Sequence, residues 1–218
     1  MNIAILIYGR LRNCKHYYED LMDSVGRENN IHFFMSSDES TENDLRDFIE
    51  LYKPIAYCND KCISTYDISK YPNAHETTSD RQNKMLRHFI NKYRVFRLLE
   101  EYTNKKYAIG IEYDVIVSFR VDIKIAHGAS FNFTNISKND NDIYIPNGWD
   151  FRNGVNDQIA YGNYNVMQKY MNIYSNVEYI LENKLSIVHP ESLTLANIKF
   201  AKLNIRRVQL NYELKPNR

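Results

Sequence analysis

The run Tyr113-Asp-Val-Ile-Val-Ser-Phe119 is apolar, rich in β-branched residues and of strand length, and it ends abruptly in Arg120-Val121-Asp122. Such a segment reads as a strand buried in a sheet. Asn2–Tyr8, stopped by Gly9, and Ile31–Met35 read the same way. Helical spacing fills the intervals. Leu45, Phe48, Ile49 and Tyr52 mark a helix over 42–52, which Pro54 ends, and Ile55–Cys58 forms a third short strand. After a loop over 59–79, Met85, Leu86, Phe89, Ile90, Tyr93, Phe96 and Leu99 make an apolar stripe over 80–102, with Ser79 or Asp80 placed to cap its start. Ile143–Pro146 and Gln158–Tyr161 are further strands, Val166 to Leu181 is helical in pattern, Pro190 opens a last helix to about Leu203, and Ile205–Leu210 closes the chain. Strands alternating with helices predict an α/β fold with a mixed, mostly parallel central sheet flanked by helices. No repeat or linker divides the sequence, so one domain over 1–218 is expected.

Charge narrows the function classes. With 28 Lys+Arg against 27 Asp+Glu, the chain has no electrostatic footprint for nucleic acid or an acidic membrane. Its 44% hydrophobic content is that of a globular chain. Three cysteines are too few and odd in number for a disulfide framework, and Cys58 and Cys62 lack a second Cys/His pair for zinc. The apolar start, Met1 to Tyr8, has no basic leader and is too short for an anchor. A cytoplasmic protein without a transmembrane segment is the expectation.

In an open α/β sheet, ligands bind beyond the carboxyl ends of the strands. Arg120 and Asp122 stand at such an end, where they either hold a charged, metal-bound ligand or form a surface ion pair. Two candidates exist for a metal carboxylate. Asp140-Asn141-Asp142 is a literal Asp-x-Asp but lies in a polar run, Ser137 to Asp142, that reads as a solvated loop. Asp122 follows an apolar strand and is the better choice. Mn²⁺ or Mg²⁺ on a diphosphate needs only one or two protein carboxylates, because phosphate oxygens and water complete its shell.

The turn Tyr8-Gly9-Arg10-Leu11-Arg12-Asn13 breaks a strand at glycine and then presents cations, which suits a diphosphate. With one glycine it is neither a dinucleotide fingerprint nor a Walker A loop. In the loop from Asn147 to Gly162, Asp157-Gln158 places a carboxylate beside an amide, able to grip sugar hydroxyls or to serve as base or charge stabiliser, where the plainer alternative is an Asp-capped turn. Trp149, the only tryptophan, is either an apolar wall for a sugar or core. His189-Pro190-Glu191 precedes the last helix. A lone histidine there is more often structural than a metal ligand, and Glu191 falls where the helix dipole favours an acid anyway.

Taken in order, "YDVIVSFRVDI", "IYIPNGWD", "NDQIAYGNYNVMQKY" and "HPESLTLANI" resemble small glycosyltransferases of the GT-A fold from large DNA viruses, chlorella viruses among them, and from bacterial surface-polysaccharide clusters. The resemblance spans nearly the whole chain. It implies a metal-assisted transfer of sugar from a nucleotide diphosphate, UDP by preference, to a glycan or glycoprotein acceptor, in the host cytoplasm for a viral protein. Asp122 becomes the metal ligand, with Arg120 in place of the usual first acid. The Asp-Gln pair is similar to one beside the donor sugar in glycogenin-type and xyloglucan xylosyltransferase-type enzymes, which implies Asp157 and Gln158 at the catalytic centre; the acceptor hydroxyl needs a base, and Asp157 is the first choice for it. Tyr8, Gly9, Arg10, Arg12 and Arg120 would face the nucleotide, and Lys92 and Arg94 of the long helix are placed to reach the same pocket. Trp149, Glu191 and His189 are candidate contacts to sugar or acceptor. A nucleotidyltransferase and an inactive nucleotide-sugar-binding module are the alternatives.

Overall fold

The computed structural model describes residues 1–12, 14–72, 78–104 and 111–214. Asn13 of the first turn and 73–77 of the expected 59–79 loop lie outside them.

The fold is α/β. A seven-stranded sheet has the order β3-β2-β1-β4-β7-β6-β8, built from β1 (Asn2–Tyr8), β2 (Asn30–Ser36), β3 (Ala56–Cys58), β4 (Val115–Arg120), β6 (Asp142–Pro146), β7 (Ile159–Gly162) and β8 (Asn204–Val208). Every neighbouring pair is parallel except the two that β7 makes. A separate antiparallel pair joins β5 (Ile123–Ile125) to β9 (Tyr212–Leu214). β1, β4, β6 and β7 are covered on both faces, which selects near-continuous apolar sequence, whereas the edge strands β3 and β8 are more exposed. Ile3, Ile5 and Ile7 pack on one face with Leu21 and Val25 of α1 (Tyr18–Val25) and with Phe48 and Tyr52 of α2 (Glu42–Tyr52). Ala4, Leu6 and Tyr8 pack on the other with α3 (Ser79–Asn104), α4 (Tyr164–Met171) and α6 (Pro190–Phe200). No helix among the described residues is long and apolar enough to cross a membrane.

Three local expectations need correction. The stretch from Val166 to Leu181 is two helices, α4 and α5 (Ile173–Glu182), parted at Asn172. Asparagine competes for backbone hydrogen bonds and favours such breaks. Thr78, rather than Ser79 or Asp80, caps α3: its Oγ1 accepts from Arg81 N at 3.4 Å. The last helix ends at Phe200 instead of Leu203.

Two features of this layout build a site. Tyr8, Ser36, Cys58 and Arg120 share one register, so β1 to β4 end on a common line. Because β7 runs against them, Asp157 and Gln158, just before it begins, arrive at that same edge, where Gln158 O accepts from Arg120 N at 3.1 Å.

Candidate active site

A cleft of about 570 Å³ opens at this carboxyl edge, lined by residues of the β1 and β4 ends, α3, the 152–157 loop and the start of α6. Gly9 turns the chain out of β1 with φ of 110°, a conformation that favours glycine. Leu11 is buried and pins the turn, so Arg10 and Arg12 on either side stay exposed along the cleft. On the neighbouring end, Arg120 Nη2 donates to Asp122 Oδ2 at 2.7 Å. Asp122 Oδ1 is buried without a hydrogen-bond partner. That orphaned oxygen fits one coordination position of a hard cation. Among the described residues no group of three or more His, Cys, Asp or Glu could form a full cage. Asp122 suits a Mn²⁺ or Mg²⁺ ion that takes its other ligands from phosphate oxygens and water.

Asp157 is the buried charge at the floor of the cleft. Its Oδ2 lies 3.2 Å from His88 Nε2. Burial is the largest influence and would raise its carboxyl; His88, Lys92 and Arg120 together outweigh it and hold the group well below the ordinary carboxylate range. Burial likewise pushes the His88 imidazole below its ordinary value, against the pull of the Asp157 charge. Lys92 is fully buried beneath them, where burial brings it down to about 8. Its Nζ donates to Asp157 O at 2.6 Å and to Tyr170 Oη at 3.2 Å. Tyr8 Oη donates to Asp157 O and Gln158 O at 3.0 and 2.9 Å.

Glu191 stands in the first turn of α6 and lines the cleft at 8% exposure. Its Oε2 lies 3.0 Å from His189 Nδ1. Burial first, and the charge of Asp157 second, push its carboxyl up to about 7. A general base works best with a pKa near the operating pH. The raised carboxyl of Glu191 moves toward that condition and the lowered one of Asp157 moves away from it.

The loop before Asp157 fixes Glu191. Val155 N donates to Glu191 O at 3.1 Å, and Gly154 lies so close that a Cβ there would sit 2.2 Å from the Glu191 carbonyl carbon. Since backbone cannot yield as a flexible side chain would, Gly154→Ala is expected to cost about 2–3 kcal/mol. A melting curve checks this; an unchanged Tm contradicts it.

The sequence expectations divide accordingly. Gly9, Arg10, Arg12, Arg120, Asp122, Asp157, His189 and Glu191 all line one cleft. Tyr8, Lys92 and Gln158 do not: they are buried beneath it as supports, with Gln158 Oε1 accepting from Tyr212 Oη at 3.0 Å. Arg94 turns away to Asp60 O and Cys62 Sγ, at 3.0 and 3.4 Å. Trp149 is neither core nor cleft wall; it is 39% exposed and stacks near Tyr212. Asp142 lies at the amino end of β6, the opposite sheet edge, where Arg206 Nε donates to it at 2.6 Å. Sequence reasoning missed His88 and Asp38, and the cations Arg81, Lys84, Arg87 and Arg152 that also line the cleft. His88 sits four residues before Lys92, which puts both on one helix face and was a usable signal. No family model and no curated protein matches this chain.

Proposed function

We propose that this chain is a glycosyltransferase that moves a sugar from a nucleotide diphosphate, UDP by preference, to a hydroxyl of a glycan acceptor. One observation carries the reading. Gly9-Arg10-Leu11-Arg12, the Arg120–Asp122 pair, Asp157 and Glu191 converge at the carboxyl edge of a mostly parallel sheet. That edge is where open α/β sheets hold ligands. The cations match a diphosphate, and two carboxylates of different basicity match transfer chemistry.

Arg10, Arg12 and Arg120 offset charge on the diphosphate as it leaves. Asp122 would hold Mn²⁺ or Mg²⁺, which when bound neutralises the same leaving group. Glu191 accepts the proton of the acceptor hydroxyl while that oxygen bonds to C1 of the sugar. The bond from C1 to the diphosphate oxygen breaks, and the nucleotide departs with the electron pair. Asp157 stays ionised beneath the reacting carbon, where it favours the positive charge that develops there. Lys92, Tyr8 and His88 hold Asp157 in place.

A thermal-shift panel of nucleotide sugars with and without Mn²⁺ tests this. UDP-sugars should raise Tm well beyond uridine, and more so with the metal. Arg10→Ala should weaken UDP-sugar binding by about 1.5–3 kcal/mol, as for a hydrogen bond to a charged group, and uridine binding far less. Equal losses for both would move Arg10 away from the diphosphate.

A further inference from the structure

The cleft holds more positive charge than a nucleotide sugar uses. Seven arginine and lysine residues line it against four carboxylates. Each carboxylate already has a basic neighbour: Arg87 on Asp38 at 3.4 Å, Arg120 on Asp122, His88 on Asp157 and His189 on Glu191. Arg10, Arg12 and Arg120 suffice for a sugar-linked diphosphate that also carries a divalent cation.

Lys84 and Arg152 lie outside that trio. Ser36 Oγ, at the carboxyl end of β2, donates to Asn91 Oδ1 at 2.7 Å, and His88 is level with Asp157. The part of α3 that precedes Asn91 therefore overhangs the sheet edge. At 1.5 Å per residue, Lys84 stands roughly 6 Å beyond His88 along the helix axis. Among the described residues Lys84 forms an ion pair with Asp80 alone, at 2.6 Å, the two side chains being 69% and 73% exposed. Such a pair is worth little and is readily exchanged for a ligand. Arg152 reaches the cleft from the loop clamped on α6, its carbonyl accepting from Ser192 Oγ at 3.0 Å. It makes no ion pair among the described residues. Its φ of 51° and that of 56° at Asn153 are left-handed, a conformation that costs free energy at non-glycine positions. A strained, clamped backbone here presents an uncompensated cation to the cleft.

We infer that the outer cleft receives an acceptor bearing a negative charge, a carboxylate- or phosphate-substituted sugar, held by Lys84 and Arg152. This rests on the glycosyltransferase reading of the inner cleft. Met85, which follows Lys84 on α3 and lines the same cleft, supplies an apolar contact for the sugar ring.

Two successive calorimetric titrations test it. The protein is first saturated with UDP and Mn²⁺, then titrated with glucose 6-phosphate, glucuronate or glucose. The charged sugars should bind at least about tenfold more tightly than glucose, and whichever binds better identifies the anion. Lys84→Ala/Arg152→Ala should erase that margin and leave UDP affinity within about twofold. Three results overturn the inference while the inner-cleft reading stands: glucose binding as tightly as the charged sugars, charged sugars displacing UDP, or a margin that survives the double substitution. A protein that takes no UDP in the first titration overturns the glycosyltransferase reading, and this inference with it.

Discussion

Asp122→Asn should abolish the gain in UDP affinity that Mn²⁺ confers and lower sugar transfer at least about a hundredfold, the several kcal/mol that a bound cation contributes. Asparagine keeps the shape and can still accept from Arg120, so the sheet end should remain ordered. What it removes is the charge behind Oδ1, the buried carboxylate oxygen that has no hydrogen-bond partner. The matched control is Asp140→Asn/Asp142→Asn. Asp142 is tied to Arg206 and to Asn204 Nδ2, the latter at 3.0 Å, on the opposite edge of the sheet. That double change should leave Mn²⁺-dependent UDP binding intact. Titration calorimetry with and without Mn²⁺ separates the two sites, and loss of the metal effect in the control alone would reverse the assignment.

Glu191→Gln should lower transfer by at least about a hundredfold, the lower end of what a positioned acid–base group contributes. UDP affinity should stay within a few-fold, because Glu191 faces the acceptor in this account. The wild-type rate should rise as pH passes about 7, where Glu191 becomes ionised, and the variant should lack that rise. Stability gives an independent reading. The folded-state value is raised from 4.5 to about 7, so the folded protein binds the extra proton between those limits. Its stabilising contribution is complete below the unfolded value and is lost as pH rises through the folded one. Above pH 7 the wild type should therefore have lost about 3 kcal/mol relative to Glu191→Gln, from 1.36 kcal/mol per unit. Melting curves at pH 5 and pH 8 should show the variant gaining on the wild type as pH rises. A stability difference independent of pH, or a variant that transfers sugar at the wild-type rate, contradicts the role.

How much of this was legible in the sequence depended on whether the signal was local. The runs 2–8, 31–35 and 115–120 are strands because they are buried on both faces, and burial writes itself into composition. The carboxyl edge followed from those strands, and with it Arg10, Arg120 and Asp122. Side-chain direction was harder to read. Asp157 and Gln158 are adjacent, and successive residues of an extended chain point to opposite sides, so both could not enter the cleft. Tyr8 shares its face with Ala4 and Leu6, on the side that packs beneath α3 and α4. Lys92 follows Met85 and Phe89 and precedes Phe96 and Leu99 at helical spacing. The apolar stripe thus already marked it as buried, more support than ligand contact. Arg152 was not legible, because consecutive left-handed residues without glycine leave little trace in sequence. The pairing of β5 with β9 joins three-residue strands far apart in the chain, which no local pattern encodes.

Nucleotide release is the sharpest probe of transfer from a nucleotide sugar. The chain is incubated with each of a panel of nucleotide sugars, Mn²⁺ and a charged monosaccharide, and the nucleotide product is quantified. UDP should form above the enzyme-free rate, dependent on Mn²⁺, and this release should be lost in Asp122→Asn. Pyrophosphate release from UTP and a sugar 1-phosphate would contradict it in favour of a nucleotidyltransferase. Tight UDP-sugar binding with no UDP released would make the cleft an inactive binding module.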